Sequence, residues 1–240
     1  MRAKRTILLV TLVVGVTLTG MGLKFSSLVL DLSYGIKVLA ILLIGAASLV
    51  LGMGLPVTAS YIVLIILAGP GLMDLGIPLL TAHMIVFWYS QDANVTPPVA
   101  LASFAAAGIA GSNPMQTGFH SLRLGIAKYI LPFVFVYAPG MVFVGTWPEI
   151  VLGIVGGFAG IYALTITTEG WCLSKVGWLL RILMGLCALL FFVPGLKMVV
   201  SGLNLNLPYW LTHLLAWTLL VGFTLTHRAK HHNLAKEVPA

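Results

Sequence analysis

The chain has 240 residues, 60% of them hydrophobic and 8% charged, with a mean hydropathy of +1.07. That composition excludes an ordinary soluble domain and defines a polytopic membrane protein. The net charge of +7 is not a nucleic-acid signal, because Lys and Arg gather at the two ends and in short loops, as positive-inside topology requires. Arg2, Lys4, Arg5 and the amino terminus precede the first apolar run, and His227, Arg228, Lys230, His231, His232 and Lys236 follow the last. Both termini are therefore expected in the cytoplasm.

Thr6–Leu23 is apolar for 18 residues, the lower edge of a spanning helix. No small-residue cleavage site follows, Gly20-Met21-Gly22-Leu23-Lys24 being a poor one, so the stretch reads as a retained crossing. Lys24–Lys37 is expected as an outside, partly apolar connector. The charge-free run Val38–Met73 comes next, broken by Gly52-Met53-Gly54-Leu55-Pro56. As one straight helix it would measure roughly 54 Å against a hydrocarbon core of about 30 Å. Each half, Val38–Leu51 and Val57–Ala68, is too short to cross alone. The expected solution is a re-entrant hairpin over 38–73 that turns at the Gly-Pro tip and leaves on the same side. Irregular backbone at that depth is tolerated only against protein or a wet cavity, and transporters place substrate and ion sites at such tips.

Ile77–Ala110 is the second crossing and is again too long and broken, at Asn94-Val95-Thr96-Pro97-Pro98. Pro97 and Pro98 bring no N–H, and Pro97 pushes Thr96 away from helical angles. The first half-helix ends with partial negative charge, suited to a cation. The second half, Pro98–Ala110, begins with partial positive charge, suited to an anion. Asp92 is the only acidic residue within a predicted span, and an intramembrane carboxylate is a functional hypothesis by default. Gly111–Arg123 is expected as an inside loop, with Arg123 and Lys128 setting topology. Leu124–Gly145, bent at Pro132 and Pro139, is the third crossing. The outside turn Thr146–Glu149 leads into Ile150–Ile166, whose Gly153–Gly160 reads as close helix packing. The inside loop Thr167–Gly177 leads into Trp178–Val200, with Arg181 snorkelling at its inner end. Leu207–Leu225 is the last crossing. Cys172 and Cys187 lie 15 residues apart in different settings and suggest neither a disulfide nor a metal site. The fold class is thus all-α polytopic, about six transmembrane helices plus one re-entrant hairpin and one broken helix.

These motifs carry a resemblance. Leu51-Gly52-Met53-Gly54-Leu55-Pro56-Val57-Thr58-Ala59, then Thr96-Pro97-Pro98-Val99-Ala100-Leu101, then Ala105-Ala106-Ala107-Gly108-Ile109-Ala110-Gly111 resemble the large membrane subunit of tripartite ATP-independent periplasmic (TRAP) transporters. The GMGLP-T and QDxNVTPPV variants look like the fused permeases that work with TAXI-type binding proteins. The resemblance covers about Gly20 to Pro139, and more loosely the tail.

It implies an elevator-type secondary transporter of organic anions in a bacterial inner membrane, driven by a sodium gradient and fed by a periplasmic TAXI-type substrate-binding protein. Sodium would be the coupling ligand, with no other cofactor. Carried over, the ion site comprises Gly52, Gly54, Pro56, Asp92, Asn94 and Thr96. Thr58, Pro97, Pro98, Val99 and Ala100 would meet the substrate carboxylate. Such permeases have two inverted repeats, whereas one hairpin and one break are visible here. The chain therefore resembles the C-terminal half, with residues 1–145 as the transport-type half and 146–240 as extra helices and a basic tail. The N-terminal half and the small membrane subunit are expected on partners. The alternative is a non-transporting fragment or structural subunit. An intramembrane hydrolase is disfavoured, because no nucleophile–base pair accompanies the single carboxylate.

Overall fold

A computed structural model describes residues 10–11, 14–53, 55–193, 197–200, 203–206 and 209–236, the side chains of 197–209 and 228–236 excepted. Residues 6–9 and 12–13 of the expected first crossing and the tip residue Gly54 lie outside the described residues. The chain forms two compact units, Met1–Val136 and Tyr137–Ala240.

The first unit begins with residues 14–18, which are helical, and turns at Thr19-Gly20. It continues as α1 (Met21–Ser33), α2 (Lys37–Leu51), α3 (Val57–Asp74) and α4 (Leu79–Tyr89). A single 3-10 turn, Asp92–Asn94, precedes α5 (Leu101–Ala110), α6 (Pro114–Leu124) and α7 (Ile126–Tyr137). The expected hairpin helices are present as α2 and α3, with the break at 52–56. Their buried positions follow helical spacing: Ala40, Ile41, Ile44 and Ser48 on α2, and Ser60, Leu64, Leu67, Ala68, Gly71 and Leu72 on α3.

The expected connector Lys24–Lys37 is instead largely helix α1, with Asp31 on it, packed against α3. The reason is a stripe of small residues. A Cβ on Gly22 would lie 2.7 Å from the Ile66 carbonyl oxygen, so only glycine permits that approach. Ser26 inserts its hydroxyl into the α3 ladder where Pro70 disturbs it. Its Oγ donates to the Leu67 carbonyl (2.7 Å) and accepts from the Gly71 N–H (3.1 Å). A proline inside a helix removes one bond and strains the turn, and the hydroxyl from α1 bridges a neighbouring bond pair. We expect Ser26→Ala to cost about 1–3 kcal/mol, the loss of a buried hydrogen-bond partner. Ser27→Ala, whose exposed hydroxyl bonds only within its own helix, should stay within about 0.5 kcal/mol. Denaturant unfolding of the solubilised protein checks both.

The expected loop Gly111–Arg123 is also mostly helix. Asn113 caps α6 by accepting from the Gln116 N–H (3.1 Å), and Pro114 fills the first helical position, where its missing N–H costs nothing. Residues Pro114–Tyr137 together form an apolar stretch long enough to span a membrane, as do α3 and Trp147–Glu169.

The second unit opens with a 3-10 turn, Pro139–Val142, and then α8 (Trp147–Glu169). Thr146–Glu149, expected as a turn, is the cap and first helical turn of α8. The Thr146 N–H donates to Glu149 Oε2 (2.8 Å) in a capping box. The glycines of α8 pack as expected: a Cβ on Gly153, Gly156, Gly157 or Gly160 would press into Gly140 and Met141, His213, Met141 or Phe192. A short antiparallel ribbon, β1 (Trp171–Cys172) with β2 (Ser174–Lys175), precedes α9 (Trp178–Phe192).

Arg181 lies in the first turn of α9. Its Nε and Nη2 donate to the Thr167 and Thr168 carbonyls at 2.8 and 2.9 Å, capping the last turn of α8, where cations and donors are favoured. The expected helix to Val200 stops at Phe192, and β3 (Lys197–Val200) pairs with β4 (Leu203–Asn206). The last helix, α10 (Tyr209–Lys236), runs well past the expected end at Leu225. The ribbons are minor additions to an all-α membrane fold.

Candidate functional site

The two chain breaks of the first unit meet. Gly52, at the end of α2, is buried, and a Cβ placed there would lie 3.3 Å from Ala93 Cβ and 3.3 Å from Ser60 Oγ. The hairpin tip therefore rests directly on the 3-10 turn of the broken helix. Tyr89 seals one side, its ring packed where a Gly45 Cβ would come within 3.1 Å of Cζ. Ser60 is buried, and its hydroxyl has no hydrogen-bond partner among the described residues. A buried unpaired hydroxyl is costly.

The break is wider than expected. α4 ends at Tyr89, and α5 starts at Leu101 rather than Pro98. Local turns satisfy several backbone groups. The Asp92 carbonyl accepts from the N–H groups of Val95 (3.2 Å) and Thr96 (3.0 Å) and from Thr96 Oγ1 (2.5 Å). Gln91 O accepts from Asn94 N (3.2 Å). At the tip, Gly52 O accepts from Leu55 N (3.3 Å) and Pro56 O from Ser60 N (3.0 Å). Each carbonyl keeps a second lone pair, so both tip carbonyls can still face a cation. The Ala100 amide, expected to greet an anion, donates to Thr96 O (3.0 Å).

Asp92 is 1% exposed, and its Oδ1 lies 3.1 Å from Lys128 Nζ on α7, itself 20% exposed. One residue on, the Tyr129 hydroxyl bonds Thr96 Oγ1. The single proton of the Thr96 hydroxyl goes to the Asp92 carbonyl, so Tyr129 donates. Two consecutive residues of α7 thus clamp the break, one by charge and one by hydrogen bond.

The expected substrate residues are separated. Thr58 lines a cleft of about 570 Å³ with Val57, Tyr61, Leu80, His83 and Phe87, where the Tyr61 hydroxyl bonds His83 Nδ1 (2.6 Å). Pro98, Val99, Pro97 and Ala100 do not line it. Pro97 and Ala100 pack on α6 instead, at 3.0 and 3.6 Å from a Cβ placed on Gly118. The Pro97–Pro98 peptide is cis.

Sequence reasoning passed over three residues of this site. Lys128 reads as a topology marker, and neither Tyr129 nor Ser60 is among the expected site residues. The available signal was a lysine and tyrosine entering an apolar helix one connection after an intramembrane aspartate.

A polytopic helical protein with a broken hairpin laid on a broken helix has the architecture of a membrane carrier. The model for the tripartite ATP-independent periplasmic transporter, DctM component, matches residues 7–150. The chain belongs to that family, the membrane permeases of TRAP transporters, which work with a periplasmic binding protein. Comparison with characterised proteins and with solved structures gives no match.

Proposed function

We propose that this permease carries small organic anions, carboxylates or amino acids, in symport with sodium. The observation that supports this most is the meeting of tip and break at Gly52 and Ala93 beside the buried Ser60 hydroxyl, with the buried Asp92 carboxylate on the same 3-10 turn. A hard cation takes oxygen ligands, and oxygens are what this place offers: Ser60 Oγ, the Asp92 carboxylate, the second lone pairs at Gly52 and Pro56, and the neighbouring Asn94 and Thr96. Sodium there would tie tip to break and neutralise part of the carboxylate field. Thr58, at the mouth of the adjoining cleft, would then face the substrate. The Val99 amide would be the backbone donor beside the start of α5 for an arriving carboxylate, since Pro98 has no N–H and the Ala100 amide is engaged, while Pro98 would offer only its ring as packing.

The donor would be a TAXI-type binding protein. A complementary repeat and a small membrane subunit would come from companion chains. The setting would be a bacterial inner membrane with both termini in the cytoplasm.

Uptake into proteoliposomes under an inward sodium gradient, with the binding protein and companion subunits supplied, tests the reading. Asp92→Ala and Thr96→Ala should each lower sodium-driven uptake to background while the protein stays in the membrane. Ordinary sodium dependence in both variants would sink the proposal. Absence of uptake in every combination, with correct insertion, would favour the non-transporting structural subunit.

A further inference from the structure

We infer that Lys128 is the resident counter-ion of this site. Its ammonium holds the Asp92 carboxylate while the site is empty, leaves when sodium binds there, and becomes the cation that a substrate carboxylate meets. The inference rests on the sodium-coupled reading above and adds the device that ties ion to substrate.

The unequal burial of the pair points this way. Asp92 sits in a tight 3-10 turn at 1% exposure, whereas Lys128 is 20% exposed. A carboxylate on a short stem in a fixed turn cannot leave. An ammonium on a flexible four-carbon stem can. Leaving does not cost α7 its place, because the Tyr129 hydroxyl still holds Thr96. The ammonium is thus anchored beside the break by its neighbour and free to swing.

Charge balance then dictates coupling. The empty pair sums to zero. Sodium alone at Asp92 leaves the site with one net positive charge, and a substrate carboxylate alone leaves one net negative charge. A carboxylate on Lys128 without sodium leaves Asp92 buried and uncompensated, which a low-dielectric site resists strongly, whereas sodium without substrate leaves a released, part-exposed ammonium for a carboxylate to pair with. Sodium on Asp92 together with a carboxylate on Lys128 sums to zero again.

The test is sodium binding by the purified full chain in nanodiscs, titrated with radioactive sodium against choline at constant ionic strength. K128Q removes the competitor and should bind sodium at least tenfold more tightly. K128R keeps the charge but offers a bidentate fork to the carboxylate, and should bind at least threefold more weakly. D92N should bind none. A merely structural role for Lys128 would weaken binding in K128Q rather than tighten it. If K128Q does not fold, K128R decides alone, since unchanged affinity there overturns the inference. Wild-type binding that is lost in D92N but unmoved in K128R and K128Q overturns the role of Lys128 and leaves the sodium reading standing. Absence of sodium binding in the wild type and every variant overturns the sodium reading itself.

Discussion

Replacing Lys128 with Ala in sodium-free buffer is expected to cost about 3–5 kcal/mol, the cost of leaving one member of a buried ion pair uncompensated. Asp92 is the member that suffers, because it is almost wholly buried and cannot reach water. The reverse change, Asp92→Asn, should cost less, about 1–2 kcal/mol, because the half-buried lysine can extend its stem toward the open side. Combining Asp92→Asn with Lys128→Gln should recover most of the loss caused by Lys128→Ala, since neither charge then remains. Denaturant unfolding of the solubilised variants measures all three. Equal, small and additive losses would mean that the pair is solvated and makes no demand on the fold.

The second large effect is expected at Gly52. A Cβ there would sit 2.7 Å from the Ser48 carbonyl oxygen and 3.3 Å from both Ala93 Cβ and Ser60 Oγ. The first distance requires backbone movement, and the other two push the tip off the break. Gly52→Ala should therefore cost about 1–3 kcal/mol, the range for inserting a methyl into a packed site. It should also abolish sodium-driven uptake, because tip and break no longer meet around Ser60. Gly108→Ala is the control: a Cβ there meets open space, and alanine in a helix interior favours stability by about 0.5–1 kcal/mol. Gly52→Ala with wild-type stability and uptake would show that the tip has room to spare.

Much of this protein is legible without coordinates, because the bilayer leaves few choices. Helices are the economical way to satisfy backbone groups in lipid, so apolar run lengths and Gly/Pro interruptions place α2, α3, α4 and the second half-helix to within a few residues. The two misread connectors have one cause. Segments that looked too short or too polar to span became loops in the reading. Met21–Ser33 and Pro114–Leu124 are nevertheless helical, for reasons outside hydropathy. The first packs a stripe of small residues on α3, and the second carries an Asn-Pro start. Asn113-Pro114 and Thr146-Pro148-Glu149 are cap signals already present in the sequence, and hydropathy had outweighed them.

The sequence by itself determined which points on the chain must be irregular: the Gly52–Pro56 tip, the Asn94–Pro98 break and the buried acid at Asp92. Each is dictated by local chemistry, namely missing N–H groups, missing Cβ atoms and a charge that water cannot reach. Only the tertiary structure decided what those points meet. It left the Ser60 hydroxyl without a partner among the described residues, set Gly52 on Ala93, and brought Lys128 to Asp92 and Tyr129 to Thr96. Those contacts join residues about 33 to 41 positions apart. Hydropathy and propensity act over a turn or two, so pairings at that separation are set by how the helices pack.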